Sequence, residues 1–373
     1  MKVKLFIIVM LLLGAAVLAG CSLDVDYGGE QQPQAAAVQA DDAYPLALIT
    51  DGSAVSDDGG FYQSAWNGLS TYAEEQSLRC NYYIPAERSD QGYLEAIAEA
   101  VNAGAQLVVC PGDTLEVAVY EAQYLYPEVS FVMIDGDPHN AELSDYAIAD
   151  NTCVLRFSEQ QAGFLAGYAA VYSGYRNLGF YGGIAVPAVV RFGYGYVQGA
   201  SYAAQELGVN AVRIRYAYSG VFVADPAVEQ RAADWYDNGT QVIFSCGGAM
   251  VHSVIAAAEA AENAYIIGVD EDQSLMSERI VTSAVKRSDS GVYQCAEAYY
   301  SGGFPGGQVL LLDVSSNSVG LPLATSRLSG FSEEQYANIC ALLAGGSIKL
   351  LGDTDIESVK ELATEAVTII ASL

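Results

Sequence analysis

Positive charge is scarce in this sequence. Its 373 residues include 16 Lys and Arg against 45 Asp and Glu, which gives a net charge of −29 at pH 7. A protein that binds nucleic acid needs a basic surface for the phosphates, so this imbalance argues against a nucleic-acid partner. It equally disfavours electrostatic attachment to anionic lipid, and it suits a soluble exported protein that is kept apart from its neighbours by charge.

Metal-binding and redox motifs are also missing. The sequence has only two histidines, His139 and His252, and its seven cysteines form no CxxC pair. Zinc is therefore not expected, and a disulfide framework is not expected in a chain of this size. No Ser–His or Cys–His pairing is visible, so the residues predict no catalytic nucleophile, no metal and no cofactor.

Long apolar runs are confined to the N-terminus. Lys2 and Lys4 precede an apolar run at residues 5–17, and the sequence LAGC follows at residues 18–21. This pattern is typical of an export signal and resembles a bacterial lipobox. The resemblance implies that residues 1–20 are removed and that Cys21 receives a lipid. Residues 21–43 then predict a flexible tether, and nothing later in the sequence is long and uncharged enough to cross a membrane.

Apolar strand patterns alternate with helix patterns from residue 45 to the end. Each strand is followed by a turn and a helix, which predicts a parallel, doubly wound α/β sheet. The alternation restarts near residue 151, so we expect two lobes joined by extended crossings. The first lobe is predicted at residues 44–152 plus about 281–312, and the second at 153–280 plus about 313–373. The cleft between two such lobes is the natural ligand site.

Polar side chains follow the predicted strands. The first strand leads into a loop with Asp51, Asp57 and Asp58, and the aromatic Phe61 and Tyr62 begin the next helix. Such a loop lies at the carboxyl edge of a parallel sheet, where ligands bind. The group could hold a small polar molecule with a flat face. Alternatively, the aspartates only cap the helix and Phe61 packs in the core.

Two further aspartates end strands in different lobes. Asp135 ends FVMID and Asp270 ends YIIGVD. They could be ligand residues at facing edges of the cleft, or they could merely terminate their strands.

Several long blocks resemble one known family. They occur in the order ITDGSAVSDDGGFYQSAWNGL, FVMIDGD, FSEQQAGFLAGYAA, LGFYGGIAVPAVVRFGYGYVQGA, IIGVDEDQ and TSAVKRSD. In this order they resemble the basic membrane protein family, whose lipoproteins include purine nucleoside receptors of ABC importers. The resemblance implies a type I periplasmic-binding-protein fold, a lipid anchor on the extracytoplasmic face of the cell membrane, and a nucleoside passed to an ABC permease. The implied ligand residues are Asp51, Phe61, Asp135, Phe192, Asp270 and Lys286.

The chemistry of these residue types agrees with a nucleoside. Phe61 and Phe192 could stack on the faces of a base, and each stack is worth about 1–3 kcal/mol. Asp270 could accept from vicinal ribose hydroxyls while Lys286 donates to one of them. Asp51 and Asp135 could accept from base N–H groups or from the 5′-hydroxyl. The many carboxylates would repel a phosphate and so disfavour nucleotides.

Other functions stay open at this point. A sugar or amino-acid receptor would share the same two-lobed fold, since that fold does not determine the ligand. A nucleoside hydrolase could use Asp51, Asp57 and Asp58 as a calcium cluster. A surface adhesin would need an exposed apolar or basic patch, which nothing in the sequence indicates.

Overall fold

The computed structural model describes residues 43–55 and 60–372 of the chain. The predicted signal peptide at residues 1–20, the lipidation site Cys21 and the tether up to residue 42 lie outside the described residues. Asp57 and Asp58 of the first loop also lie outside them. The structural findings below therefore concern the two lobes and not the anchor.

Strands and helices alternate through the described residues. The strands are β1 (Leu46–Ile49), β2 (Cys80–Tyr83), β3 (Leu107–Pro111), β4 (Ser130–Ile134), β5 (Thr152–Phe157), β6 (Asn177–Gly182), β7 (Val212–Tyr218), β8 (Val242–Cys246), β9 (Tyr265–Asp270), β10 (Ile280–Lys286), β11 (Gln308–Leu312), β12 (Val319–Gly320) and β13 (Val367–Ser372). The α-helices are α1 (Phe61–Glu75), α2 (Asp90–Asn102), α3 (Glu116–Leu125), α4 (Glu159–Tyr172), α5 (Pro187–Glu206), α6 (Pro226–Asp237), α7 (Val251–Ala260), α8 (Ser288–Tyr300) and α9 (Glu333–Ala344). None of these helices combines the length and the apolar character that a membrane span requires.

The first lobe contains a six-stranded sheet in the order β11-β5-β4-β3-β1-β2. All of its neighbouring strands are parallel. The short apolar strands β1, β3 and β4 are buried along their whole length, because side chains pack against both faces of the sheet. This part of the chain confirms the predicted doubly wound arrangement.

The second lobe contains a seven-stranded sheet in the order β12-β10-β9-β8-β6-β7-β13. Its strands are parallel except for the short edge strand β12, which runs antiparallel to β10. Buried side chains again cover both faces. Two such sheets confirm the predicted two-lobed α/β architecture.

The predicted boundaries between the lobes were wrong at two strands. β5 was expected to open the second lobe, but it pairs with β4 in the first sheet. β10 was expected to cross back into the first lobe, but it pairs with β9 in the second. The backbone therefore crosses between the lobes after β5, after β10 and again between β11 and β12. The prediction failed because a buried apolar strand has the same sequence pattern in either sheet, and only its pairing partner decides its place.

Close packing of α4 against α5 organises the second lobe. A Cβ atom added at Gly163 would overlap the carbonyl oxygen of Phe192, and one added at Gly167 would overlap that of Tyr196. Glycine is therefore required at these positions for the two backbones to approach. This contact also brings the N-terminal halves of the two helices together, with Glu159 on α4 and Arg191 on α5.

The Gly167→Ala substitution should destabilise the protein by about 1–3 kcal/mol, because the added methyl group forces α4 and α5 apart. The higher helix propensity of alanine, about 1 kcal/mol, acts in the opposite direction and makes the test conservative. Urea unfolding followed by circular dichroism measures the change. Gly303→Ala is the control, since a Cβ there makes only ordinary contacts from 3.9 Å outward. Equal unfolding midpoints for the two variants would contradict the close helix contact.

Candidate functional site

A buried lysine lies where the two lobes meet. Lys286 is the last residue of β10, and its side chain is only 3% exposed. Its ammonium group donates a hydrogen bond to Asp135 of the first lobe. Its Nζ also lies 3.6 Å from Oδ1 of Asp270 and 4.0 Å from Oε1 of Glu159 in the second lobe. A single positive charge therefore connects carboxylates that come from both lobes.

The two aspartates of this group have an unusual backbone conformation. Asp135 follows β4 with φ of 58°, and Asp270 ends β9 with φ of 64°. Residues other than glycine rarely occupy this left-handed region, although Asp and Asn tolerate it better than most. Such a conformation costs on the order of 1–3 kcal/mol and is concentrated at functional sites. Its presence at both strand ends makes strand termination alone an insufficient explanation.

An aromatic ring lies beside the ammonium group. The ring centroid of Phe61 is 4.8 Å from Lys286 Nζ, and that of Phe157 is 5.6 Å away. Phe61 is the first residue of α1, which Gly60 precedes with φ of 130°, a conformation that suits glycine. Tyr62 meets the Phe61 ring edge-on at 5.2 Å between centroids. The structure thus brings together four of the six predicted residues: Phe61, Asp135, Asp270 and Lys286.

Asp51 and Phe192 occupy different surroundings. Asp51 follows β1 at the carboxyl edge of the first sheet, where it accepts a hydrogen bond from the Ser53 amide and lies 4.0 Å from Arg88 Nη1. The Phe192 ring packs edge-on against Phe244 at 5.9 Å in the core of the second lobe. Phe192 is 2% exposed in this structure. Its ring would have to become accessible before it could stack on a ligand.

The sequence interpretation missed a second ion pair at the site. Glu159 is fully buried, and its Oε2 lies 2.7 Å from Arg191 Nε. Arg191 also reaches Asp353 of the C-terminal segment, with 3.3 Å between Nη1 and Oδ2. No signal in the sequence indicated this pair, because an acidic residue in the first turn of a helix is usually exposed and the burial of Glu159 follows only from its pairing with Arg191 in the folded chain.

Burial and charge shift the pKa values of this group. Burial opposes the ammonium of Lys286, but the carboxylates of Asp135, Asp270 and Glu159 more than compensate, so the pKa of Lys286 lies above its ordinary value. Burial and the nearby Asp135 raise the pKa of Glu159 to about 7, although Arg191 and Lys286 act against them. Burial also raises the pKa of Asp270, with Lys286 opposing. Four carboxylates, with Asp353 included, surround two cations here, and the raised pKa of Glu159 lets its carboxyl group take up a proton near neutral pH.

Each of the three carboxylates keeps one oxygen without a hydrogen bond. Asp135 Oδ1, Asp270 Oδ1 and Glu159 Oε1 are buried and accept none from the residues that the structure describes. A buried acceptor without a partner is costly, so oxygens of this kind are suited to accept from a bound molecule. The site can thus offer acceptors, one ammonium donor and an aromatic face to a small polar ligand.

Metal binding finds no support in the described part of the chain. Within residues 43–55 and 60–372, no cluster of three or more His, Cys, Asp or Glu side chains is arranged to hold an ion. Two of the three carboxylates considered for calcium, Asp57 and Asp58, lie outside those ranges.

Comparison with known proteins identifies relatives along most of the chain. The family described as "ABC transporter substrate-binding protein PnrA-like" matches residues 46–342. The "ABC transporter nucleoside-binding protein BmpA" of Lactococcus lactis is 28% identical over 339 residues, which are 85% of this chain and 91% of that protein. "Basic membrane protein D" of Borreliella burgdorferi is 28% identical over 78% of this chain and 82% of its own length.

Solved structures share the fold. A solute-binding protein of an ABC transporter system from Aeropyrum pernix K1 aligns with a TM-score of 0.62 and 23% identity, covering 86% of this chain and 90% of that one. Another from Conexibacter woesei aligns with a TM-score of 0.65 and 19% identity, covering 83% and 99%. These likenesses confirm the predicted periplasmic-binding-protein fold.

The family match extends over far more than half of the chain and includes Phe61, Asp135, Glu159, Asp270 and Lys286. Proteins of this family bind a substrate for a membrane permease and are not enzymes, which overturns the hydrolase alternative. The chain belongs to the PnrA-like family of ABC transporter substrate-binding proteins.

Proposed function

We propose that this protein binds a nucleoside, preferably a purine nucleoside, in the cleft between its lobes and is held at the extracytoplasmic face of the membrane by a lipid on Cys21. The relative from Lactococcus lactis is named as nucleoside-binding, and residues 1–21 have the pattern of a lipoprotein signal. A nucleoside combines an aromatic base with a neutral sugar that carries hydroxyl groups. Both parts match side chains at the lobe interface.

The observation that carries the proposal is the position of Lys286 between Asp135 and Asp270, beside the ring of Phe61. Asp270 accepts from the ribose hydroxyls and Lys286 donates to one of them, which gives charge-assisted hydrogen bonds on a neutral ligand. Phe61 stacks on the base. Asp135 accepts from a further hydroxyl or from a base N–H group.

Asp51 and Phe192 complete the proposed ligand set, although neither forms an ion pair or ring contact with Lys286 in this structure. Asp51 lies at the same carboxyl edge of the first sheet as Asp135. From this position it accepts a hydrogen bond from an N–H group of the base. Phe192 supplies the second aromatic face once its ring is released from the edge contact with Phe244. Changes in the NMR signals of the Phe192 ring on ligand addition would test this release.

The Cys21→Ala substitution should abolish lipid attachment, because lipidation needs the Cys21 thiol. We expect unprocessed precursor or protein shed from the cells. Metabolic labelling with a fatty acid, followed by gel analysis of parent and variant, measures the change. Cys80→Ala is the control, since Cys80 lies within the fold in β2 and should leave labelling intact. Labelled Cys21→Ala protein would contradict the anchor.

Nucleosides should bind roughly 100-fold more tightly than their 5′-monophosphates, because a phosphate would enter a site with an excess of carboxylates. Isothermal titration with adenosine, inosine, guanosine, their monophosphates, cytidine, free bases, ribose and amino acids measures the difference. A monophosphate that binds as tightly as its nucleoside would contradict the proposal that the carboxylates of the site repel a phosphate. Equal binding of ribose alone would favour the sugar-receptor alternative.

Replacing Asp270 with Asn should weaken nucleoside binding by about 30- to 1,000-fold, or roughly 2–4 kcal/mol. Asparagine keeps the shape and also tolerates the left-handed backbone, so the fold should be retained. The amide has one acceptor oxygen left and points a donor at a hydroxyl that Lys286 already serves. Asp234→Asn is the control, since this exposed aspartate of α6 accepts a hydrogen bond from Gln230 instead.

A 2′-deoxynucleoside separates direct contact from a general electrostatic effect. It should bind the parent protein more weakly, and it should lose much less than the ribonucleoside when Asp270 is replaced. Affinities of both ligands for both proteins form a double-mutant cycle. Simple addition of the two losses would mean that Asp270 does not contact the 2′-hydroxyl.

A further inference from the structure

Glu159 has no role in the ligand set derived above, although it is the most deeply buried carboxylate of the group. It lies in the first turn of α4 with no exposed surface. The N-terminal end of a helix stabilises a negative charge by a modest amount. Three groups of opposite or like charge come within reach of it from other elements: Arg191 on α5, Lys286 on β10 and Asp135 after β4.

A purely structural role for Glu159 would need only one of its two carboxylate oxygens. Oε2 already forms the close ion pair with Arg191 at 2.7 Å. Oε1 accepts no hydrogen bond from the described residues, and it lies 4.0 Å from the Lys286 ammonium. Burying a carboxylate near Asp135 is unfavourable, and apolar residues of similar volume would generally stabilise such a core as well or better. The arrangement therefore indicates a function at Lys286.

We propose that Glu159, fixed by Arg191, is a positioning residue that attracts the Lys286 ammonium towards the second lobe, weakens its bond to Asp135 and so lets Asp135 accept from the ligand more readily. This inference rests on the proposed nucleoside-binding function. An ammonium group has three N–H donors, and here it faces three carboxylates. When Glu159 is ionised, Lys286 is attracted by Glu159 and Asp270 as well as by Asp135. When Glu159 is neutral, that pull weakens, and the Lys286–Asp135 bond competes with the ligand for Asp135.

The inference has a pH signature with a definite sign. The pKa of Glu159 is raised to about 7, so its carboxyl group loses its proton as the pH rises from 6 to 8. Nucleoside affinity should therefore increase over this range, by roughly tenfold for a shift of one unit between free and bound protein. The other groups that face Glu159 or its partners are Arg191, Lys286, Asp135, Asp270, Asp353 and the thiol of Cys246. Burial opposes the charged forms of Arg191 and Lys286, but the neighbouring carboxylates more than compensate and raise the pKa of both groups. Burial raises the pKa of the Cys246 thiol well above its ordinary value.

The test uses the full chain, purified in detergent, and titrates adenosine, inosine and guanosine at pH 6, 7 and 8. These probes do not change charge within that range. Three variants are compared with the parent: Glu159→Gln, Glu159→Asp and Glu206→Gln. Glu206 is the matched control, because it ends the same helix as Arg191, about 22 Å away, and accepts from Tyr168 outside the site.

We expect parent affinity to rise with pH, and Glu159→Gln to bind roughly 5- to 30-fold more weakly at pH 8 with little dependence on pH. Glu159→Asp should regain part of the affinity and the pH dependence, and Glu206→Gln should match the parent. A flat pH profile of the parent overturns the inference even if Glu159→Gln fails to fold. If the affinity of Glu159→Gln depends on pH as that of the parent does, the inference is also overturned, but the proposed nucleoside-binding function is not. A parent that binds none of the three nucleosides at any pH overturns both.

Discussion

The ion pair between Lys286 and Asp135 is the interaction on which the lobe interface depends. Removing an ammonium group from water costs several kcal/mol, and only close carboxylates offset this cost. The second lobe supplies Asp270 and Glu159, but the hydrogen-bonded partner Asp135 comes from the first lobe. The charge of Lys286 can therefore be buried only where the two lobes meet, so one residue makes the position of the lobes and the chemistry of the site interdependent.

The strained strand ends have the same explanation. A regular extended residue after β4 or at the end of β9 would continue the direction of the strand, whereas Asp135 and Asp270 turn into the left-handed region. This turn costs free energy that an ordinary strand end does not require. It is offset where both carboxylates gain the Lys286 ammonium as a partner. The same conformation occurs in both lobes. A single aspartate at a strand end is therefore weak evidence for a binding site, whereas two that face each other are stronger evidence.

The sequence was sufficient for the residues that follow apolar strands. Asp135 and Asp270 could be located because each ends a buried run, and Phe61 because it begins a helix after a glycine-containing loop. Lys286 was assigned only through the family resemblance. Glu159 could not, since its partner Arg191 is 32 residues away on another helix and only the close packing of α4 on α5 joins them. The lobe boundaries failed at β5 and β10 for a related reason: strand pairing is a long-range property that an apolar run does not encode.

The site also lies where the backbone passes between the lobes. Glu159 comes two residues after the end of β5, and Lys286 is the last residue of β10, just before α8 returns to the first lobe. Rotation of one lobe against the other displaces atoms least near such crossings and most at the rim of the cleft. The charged group can therefore persist through moderate opening, and Glu159, Lys286 and Asp135 are in position before a ligand arrives. A nucleoside that bonded Asp135 and Lys286, as proposed above, would then add a link between the lobes without the cost of assembling the charges that hold it.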